Sequence, residues 1–355
     1  MSFKINKNTI DINSPTYFIA DIAANHDGDL SRAKDLIYKA ASAGADAAKF
    51  QHFNAATIVS DEGFKDLGNK FSHQSSWESS VFETYQKASV SMDWTKSLKE
   101  TCDEAKIDFF TSPYSIQIVD QIDEFVPAYK IGSGDITWHE IVEYIAHKNK
   151  PYILATGAAN LDEVRALVDK CLSINKSLAL LQCNTNYTAS LENFKYINLK
   201  VIETYKKIFP EIVLGLSDHT PGHSTVLGAI AMGARIIEKH FTDSNERIGP
   251  DHKFSMTTES WREMVDRARE LELSIGNGIK VVEENEKDTV VLQRRALRAV
   301  RNLEEGDVLS NSDLIALRPC PMDGIPPYKI NAIIGKKVKK SIQKGFHIKH
   351  IDLIT

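Results

Sequence analysis

Two histidines stand at equivalent points of the sequence and could hold one metal ion. His219 and His240 lie at the ends of the short apolar runs 212–217 and 235–241, which are typical of β-strands. If these strands are parallel neighbours, their ends lie about 5 Å apart. Neutral imidazoles with open remaining positions suit a divalent transition metal such as Mn²⁺, Zn²⁺ or Fe²⁺. A lone histidine is more often structural, and His223, near the start of the helix between them, is interpreted as structural or as a support for the metal ligands.

Two lysines interrupt other apolar runs and therefore need negative partners. Lys49 lies in "DAAKFQ" and Lys130 in "AYKIGS", where an unpaired ammonium would be costly to bury. Together with Ser112, Ser133 and Ser217 they predict a clamp for a phosphate or a carboxylate. The alternative is that each lysine forms a structural ion pair with an aspartate or glutamate of the sheet.

The elements that carry these residues follow from the periodicity of residues 17–274. Eight short apolar runs alternate with longer segments of helical period, as in repeated β–α units. Eight units over about 250 residues predict an α/β fold of the (β/α)₈ TIM barrel type, because an open doubly wound sheet usually has five or six strands. The predicted strands are residues 17–23, 46–51, 107–112, 128–133, 151–156, 178–183, 212–217 and 235–241.

The active site of such a barrel lies at the carboxyl ends of its strands, and here those ends are unusually polar. The interval from His52 to Lys106 exceeds an ordinary connection and predicts a loop and an extra helix at the barrel mouth. The polar residues at the predicted strand ends are Asp21, Asn25, His26, Lys49, Gln51, Thr111, Ser112, Lys130, Ser133, Asp135, Thr185, Asn186, Tyr187, Ser217, Asp218, His219, Glu238 and His240.

A second, smaller domain is predicted after the barrel. Beyond residue 274 a charged, weakly apolar stretch leads into closely spaced turns and short β-prone runs, too close together for another β–α unit. The predicted organisation is a barrel over residues 1–278, a linker over 279–290 and a small domain over 291–355. That last segment is long enough for a compact module with a small core.

Composition indicates a globular enzyme and argues against several other classes of protein. The 355 residues are 42% apolar and 26% charged, without the bias of disordered chains. A net charge of −5 offers no general attraction to nucleic acid or to an anionic membrane. The absence of a long apolar run and of a signal sequence predicts a cytoplasmic location. The cysteines are scattered and are interpreted as reduced packing residues: Cys102, Cys171, Cys183 and Cys320.

Nine motifs, taken in order, resemble the sialic acid synthase family, the phosphoenolpyruvate-condensing nonulosonic acid synthases. One motif alone would be weak evidence, whereas the ordered series spans nearly the whole chain and is specific. The last of them lies in what looks like an antifreeze-like (SAF) domain. The motifs are "ANHDGDLSRAKDLI", "AGADAAKFQ", "FFTSPYS", "PAYKIGSGD", "LATGAANLDEV", "GLSDHT", "GARIIEKHFT", "GPDHKFSM" and "LRPCPMDGI".

The resemblance implies a reaction and a role for each matching residue. Phosphoenolpyruvate would condense with an N-acylated hexosamine, N-acetylmannosamine or a 2,4-diacetamido-trideoxyhexose, in a domain-swapped homodimer. His219 and His240 would hold Mn²⁺ or Mg²⁺ and, with Asp21 and Asp135, would be catalytic. Phosphoenolpyruvate would be bound by Lys49, Ser112, Lys130, Ser133, Thr185 and Ser217, and the sugar by Gln51, Tyr187, Asp251 and, from the partner subunit, Arg318.

Three positions depart from the family pattern. Asp21 and Asp135 stand where the family's sialic acid synthases usually have glutamate, which shortens the reach of each carboxylate by about one bond. Thr188 replaces a more frequent proline next to Tyr187. Two other functions therefore stay open at this stage: a related barrel that condenses a different aldehyde, and a carbohydrate-binding homologue without catalysis.

Overall fold

The computed structural model describes residues 2–68, 74–75 and 77–354. The chain divides into two compact units, Met1–Gly276 and Asn277–Thr355. Among the helices of the described residues, none is both long and apolar enough to cross a membrane.

A sheet of eight parallel strands forms the centre of the first unit and confirms the predicted (β/α)₈ architecture. Each strand overlaps one of the eight apolar runs. The strands of the first unit are β1 (Phe3–Ile5), β2 (Asn8–Ile10), β3 (Tyr17–Asp21), β4 (Ala47–His52), β5 (Asp108–Pro113), β6 (Tyr129–Ile131), β7 (Tyr152–Ala155), β8 (Leu178–Cys183), β9 (Val213–Asp218) and β10 (Ile236–His240). Their order in the sheet is β5-β4-β3-β10-β9-β8-β7-β6, and the two end strands, β5 and β6, are in contact.

Alternate side chains of each barrel strand face the interior, because a strand has a period of two residues. Ile19, Ala47 and Ile236 belong to one buried apolar cluster inside the barrel. Two residues further along the same strands, and therefore on the same face, come Asp21, Lys49 and Glu238. The inward-facing residues are therefore apolar in the lower part of the barrel and polar at the carboxyl ends of the strands.

Amphipathic helices cover the outer face of the sheet and bury a second, larger apolar cluster against it. Asp29 caps the first of them, because its side chain accepts hydrogen bonds from the amides of Ser31 and Arg32. The helices of the described residues, including three in an insertion after β4, are α1 (Leu30–Ser42), α2 (Ala55–Ile58), α3 (Asp61–Asp66), α4 (Val81–Ala88), α5 (Thr95–Ala105), α6 (Ile116–Ile122), α7 (His139–Ala146), α8 (Leu161–Ile174), α9 (Val201–Ile208), α10 (Ser224–Ala231) and α11 (Thr258–Ile275), with α12 (Lys287–Gln293) in the second unit.

The insertion between β4 and α5 contains the three short helices α2, α3 and α4. Ser80 and Glu83 form a capping box at the start of α4, which fixes where this helix begins. The extra helix predicted for the interval after His52 is therefore present. Part of the segment "FSHQSSWESSVFETYQ", residues 71–73 and 76, lies outside the described residues.

The strands β1 and β2 form an antiparallel hairpin that the sequence patterns did not reveal. Phe3 is buried in the same apolar cluster as the inward-facing residues of the barrel. The side-chain amides of Asn6 and Asn8 donate to the Asp108 carboxylate at 2.6 and 3.3 Å. Since Asp108 begins β5, the hairpin lies at the amino-terminal end of the strands, opposite the predicted site.

The second unit has its own small apolar core, which includes Leu297, Leu303, Ile325 and Ile348. Its two strands, β11 (Ala296–Ala299) and β12 (Leu314–Leu317), pair antiparallel. Isolated bridges, such as the one between Leu303 and Ile342, connect other parts of the unit. The unit is therefore rich in turns, as the spacing of the Gly-containing segments predicts.

Candidate active site

A cavity of about 430 Å³ opens at the carboxyl ends of the barrel strands. Its volume lies in the range of small-molecule sites. The predicted site residues that line it directly are Gln51, Ser133, Asp135, Thr185, Tyr187, His240 and Asp251. A further six are connected to these by ion pairs, hydrogen bonds or ring contacts, or lie in register with them on neighbouring strands: Asp21, Lys49, Ser112, Lys130, Ser217 and His219.

The two buried lysines each meet a carboxylate. Lys49 Nζ lies 2.8 Å from Asp21 Oδ2, and Lys130 Nζ lies 3.3 Å from Glu238 Oε1. The burial of Lys49 alone would lower the pKa of its ammonium, but the neighbouring carboxylates of Asp21 and Glu238 outweigh burial and raise it. Each lysine thus forms the ion pair that the sequence left open as an alternative. A bound anion has to compete with Asp21 and Glu238 for the two ammonium groups.

His219 and His240 lie side by side, with ring centroids 5.3 Å apart. His219 Nδ1 is 3.0 Å from the carbonyl oxygen of Asn184, and His240 Nδ1 is buried without a hydrogen-bond partner within the described part of the chain. Burial lowers the pKa of His240, and the charges of His219 and Lys49 lower it further. His240 is therefore a neutral imidazole with a free nitrogen, as metal ligation requires.

The aromatic and carboxylate side chains around this histidine pair include Tyr187, Phe254, Asp251 and Asp21. The ring of Tyr187 lies 4.3 Å from that of His219. Asp251 Oδ2 lies 3.9 Å from His240 Nδ1, and Asp21 Oδ2 lies 3.5 Å from His240 Nε2. As the side chains stand, the described residues include no group of three or more His, Cys, Asp or Glu side chains arranged to hold a metal. An ion bound here would need water or substrate to complete its coordination.

Asp135 and Asp251 are the ionisable carboxylates of the cavity wall. Burial raises the pKa of Asp135 to about 6, although Lys130 opposes the shift. Burial likewise raises the pKa of Asp251 to about 6, against a hydrogen bond from the amide of Ala24. Both groups can exchange protons near neutral pH, which is the range that general acid–base catalysis uses.

Gly157 brings two of the predicted phosphoenolpyruvate ligands together. Its amide donates to Ser133 Oγ at 3.0 Å. A Cβ atom at this position would lie 1.9 Å from Thr185 Oγ1 and 2.9 Å from Ser133 Oγ, far inside the contact distance. The loops after β6, β7 and β8 can therefore meet here only because residue 157 is glycine.

The residues of the site that were not among the predicted ligands include Glu238, Cys183 and Gly157. Glu238 bridges towards both lysines, with its Oε1 3.8 Å from Lys49 Nζ. Cys183 is free and buried, as predicted, but it ends β8 beside His219, whose imidazole lowers the pKa of the thiol against the effect of burial. Gly157 is the third. Of these, only Glu238 carried a sequence signal, since it is an acidic residue inside an apolar strand.

Asp218, one of the polar residues at the predicted strand ends, does not line the cavity. Asp218 points outward from β9, where its carboxylate pairs with Lys239 and accepts from Thr220 and Thr225. Arg318 follows β12 in the second unit, where its Nε donates to the carbonyl of Gln293 at 2.7 Å. The role of Arg318 as a ligand supplied by a partner stays a prediction.

The barrel, its polar carboxyl end and the second unit define a two-domain enzyme of the (β/α)₈ class. The NeuB family pattern matches residues 36–280, and the SAF domain pattern matches residues 294–349. The chain therefore belongs to the NeuB family, the family of sialic acid synthases with a SAF domain after the barrel, and it is an enzyme of the transferase class.

Individual relatives are similar over most of their length. An N,N'-diacetyllegionaminic acid synthase of Legionella pneumophila is 35% identical over 93% of this chain and 92% of its own. The human N-acetylneuraminate-9-phosphate synthase is 29% identical over 93% of this chain and 90% of its own. The crystal structure of a sialic acid synthetase from Leptospira borgpetersenii, in complex with citrate, aligns with a TM-score of 0.71 at 27% identity, over 82% of this chain and 95% of that one.

Proposed function

We propose that the protein condenses phosphoenolpyruvate with an N-acylated hexosamine to give a nine-carbon nonulosonic acid and phosphate. The observation that carries the proposal is the cluster of buried lysines, paired histidines and titratable carboxylates at the carboxyl end of a NeuB-family barrel. The names of the relatives from Legionella and human, both synthases of such acids, support it. The proposed acceptors are N-acetylmannosamine and a 2,4-diacetamido-trideoxyhexose.

Lys49 and Lys130 would bind the phosphate and carboxylate of phosphoenolpyruvate. Both ammonium groups are almost completely buried, with 2% exposure, so a fixed positive charge there acts in a medium of low dielectric constant. Substrate anions would displace the contacts to Asp21 and Glu238, and hydroxyls would add hydrogen bonds. The hydroxyl-bearing residues proposed for this role are Ser112, Ser133, Thr185 and Ser217.

His219 and His240 would hold a divalent metal, Mn²⁺ or Mg²⁺. The Nδ1 of His240, which has no hydrogen-bond partner among the described residues, and the adjoining carboxylate of Asp251 fit such an ion. A metal held there would supply Lewis-acid chemistry for the aldehyde oxygen. Gln51, Tyr187 and Asp251 would orient the sugar beside it.

The carboxylates of the site would manage the protons of the reaction. A bond forms between C3 of phosphoenolpyruvate and the aldehyde carbon, the aldehyde oxygen takes up a proton, water adds at C2, and phosphate then leaves from C2. Asp135 is half-buried with a pKa of about 6, so its carboxylate can accept the proton of the attacking water at neutral pH. Asp21, next to Lys49, is the second candidate for proton transfer.

A turnover assay tests this function. Purified protein with Mn²⁺, phosphoenolpyruvate and a panel of N-acylated hexosamines is expected to release one phosphate for each sugar consumed, with a product mass equal to that of the sugar plus one pyruvic acid. Phosphate release followed by colorimetry and product mass by mass spectrometry provide the two readouts. Absence of turnover with every acceptor would exclude the proposed reaction.

Metal binding is tested separately from activity. Replacing His219 or His240 by Ala is expected to weaken Mn²⁺ binding by at least about tenfold, because the ion loses one of two imidazole ligands. Isothermal titration calorimetry measures the affinity, and circular dichroism checks that the barrel stays folded. His223→Ala is the matched control, since this histidine stands at the start of α10 and is not a predicted metal ligand, and wild-type affinity in both site variants would contradict the assignment.

The quaternary arrangement is also part of the proposal. Two chains would form a domain-swapped homodimer in which Arg318 of one subunit reaches the sugar in the site of the other. The match of residues 294–349 to the SAF domain supports this arrangement, because the family resemblance implies a dimer in which this domain is exchanged. A guanidinium suits the carbonyl oxygen of an acylamino group because it presents several fixed donors.

A further inference from the structure

A charged pair is buried on the outer face of the barrel, between β9 and β10. Asp218 and Lys239 are direct partners in the register of these two parallel strands. The side chain of Asp218 is 0% exposed and that of Lys239 is 1% exposed, and the carboxylate accepts a hydrogen bond from the ammonium group. Neither residue lines the active-site cavity, so an effect of the pair on the site must pass through neighbouring residues.

The pair belongs to a network that encloses the backbone of His219. Lys239 Nζ donates to the carbonyl oxygen of Thr220 at 2.6 Å. Thr220 in turn donates to the Asp218 carboxylate, through its hydroxyl at 2.8 Å and through its backbone amide at 3.3 Å. The residues immediately before and after His219 are therefore both bonded to one ammonium group, and the residue that carries this group immediately precedes His240.

The helix α10 adds a second connection to the same carboxylate. Thr225, in the first turn of this helix, donates from Oγ1 to Asp218 Oδ2 at 2.8 Å, and this hydroxyl lies 3.1 Å from Thr220 Oγ1. Both threonines are buried, and hydrogen bonds in a medium of low dielectric constant are stronger than in water. The end of β9, the turn after it and the start of α10 are thus tied to Lys239 of β10.

Stability alone does not explain a buried charge pair at this position. Moving two charged groups from water into a protein interior is costly, and replacing such a pair by apolar side chains of similar volume is often neutral or stabilising. Hydrogen bonds around a site do, however, hold its side chains in one geometry. The imidazoles of His219 and His240 need such a geometry, because one ion has to reach both.

We propose that Asp218 and Lys239 are positioning residues, which set the separation of the His219 and His240 imidazoles from the opposite face of the sheet. This inference rests on the proposed function, in which the two histidines hold a divalent metal. The network fixes the backbone on both sides of His219 relative to the residue before His240, so the ring centroids lie 5.3 Å apart before an ion binds. A site arranged in advance binds its ion more tightly, because less order has to be created on binding.

Replacing the pair by apolar side chains separates position from stability. Asp218→Leu combined with Lys239→Met removes both charges together and leaves the hydroxyls of Thr220 and Thr225 to bond each other. The free energy of unfolding, measured by urea denaturation, is expected to stay equal to the wild-type value or to rise. The affinity for Mn²⁺, measured without substrate by electron paramagnetic resonance of the free ion, is expected to fall at least about tenfold.

The possible results separate the inference from the proposed function. Wild-type Mn²⁺ affinity in the folded double variant overturns the inference and leaves the proposed metal site intact. Absence of Mn²⁺ binding by the wild-type protein would instead overturn the metal role of the two histidines, and the inference with it.

A single substitution tests the same network with little change of packing. Thr225→Val removes one hydrogen bond to Asp218, so the Mn²⁺ affinity is expected to fall about threefold. In the turnover assay the half-saturating Mn²⁺ concentration should rise by the same factor, with an unchanged kcat at saturating Mn²⁺. Thr101→Val is the matched control, because Thr101 is buried in α5, where its hydroxyl donates to the carbonyl oxygen of Ser97. Equal Mn²⁺ affinities in both threonine variants and the wild type contradict the inference, even if the double variant fails to fold.

Discussion

Buried His52 is a neutral imidazole held between two hydroxyl groups. Its Nδ1 lies 2.6 Å from Thr111 Oγ1 and its Nε2 lies 2.9 Å from Thr95 Oγ1. Burial, with a smaller effect from the nearby His26, lowers the pKa of His52 to about 4. Because the folded-state pKa is below the unfolded value of about 6.5, the unfolded chain takes up a proton first as the pH falls.

The stability of the protein should therefore fall as the pH drops through this window. Between pH 7 and pH 5, His52 is expected to remove about 2 kcal/mol from the free energy of unfolding. His52→Gln lacks the titrating group and should show a correspondingly smaller loss, measured by urea denaturation at the two pH values. His147→Gln, at an exposed position, should keep the wild-type loss. Equal losses in all three proteins would exclude His52 as the source.

Single residues of the site were predictable from the sequence where a charged side chain stands in a segment that must be buried. Lys49 and Lys130 interrupt apolar strands, and this conflict showed that each needs a negative partner. The sequence could not show that Asp21 and Glu238 are those partners, because strand order, not sequence distance, brings them together. The role of Gly157 was not predictable at all, because nothing in "LATGAANLDEV" shows that two loops approach this residue.

Among the elements, the crossing of loops at Gly157 provides a direct test of the anion site. Gly157→Ala puts a methyl group where Ser133 and Thr185 now approach, so one of the two loops must move. The KM for phosphoenolpyruvate is expected to rise by at least about tenfold, a cost of the size found for overpacked sites. Steady-state kinetics at saturating sugar measures this change.

Gly134→Ala serves as the matched control for that substitution. Gly134 belongs to the neighbouring turn, and a Cβ atom there would meet nothing within 4 Å. The control should therefore keep the wild-type KM for phosphoenolpyruvate. If Gly157→Ala also keeps it, Ser133 and Thr185 do not bind this substrate.

The elements of the barrel were predictable because each has a clear period. The eight apolar runs overlap β3 to β10, since strands buried on both faces appear as short apolar runs. The β1–β2 hairpin was missed because strands of three residues are too short to show a period. Its docking depends on Asn6 and Asn8 meeting Asp108, a contact between distant parts of the sequence.

At the scale of the whole molecule, subunit mixing tests whether Arg318 acts on the partner's site. His240→Ala and Arg318→Ala are each expected to lower activity strongly when assayed alone. Co-expression should restore it to about a quarter of the wild-type level, because half of the dimers are mixed and each mixed dimer has one intact site. Phosphate release from the purified mixture measures the recovery.

A second mixture controls for this complementation. His219→Ala and His240→Ala both damage the barrel, so every site of their mixed dimers lacks one histidine. This mixture should stay inactive. Activity equal to the control in the mixture of His240→Ala and Arg318→Ala would show that Arg318 does not supply the partner's site.

The order of the barrel strands also has a consequence for synthesis on the ribosome. The strand β3 pairs with β4 on one side and with β10 on the other, and β10 is the last strand of the barrel to be translated. Because translation proceeds at about 5–20 residues per second, one edge of β3 stays unpaired for roughly ten seconds or longer, until β10 has been synthesised. During that time it exposes unpaired backbone amides and carbonyls, a template for aggregation. The nascent chain should therefore depend on a chaperone until residue 240 has left the exit tunnel.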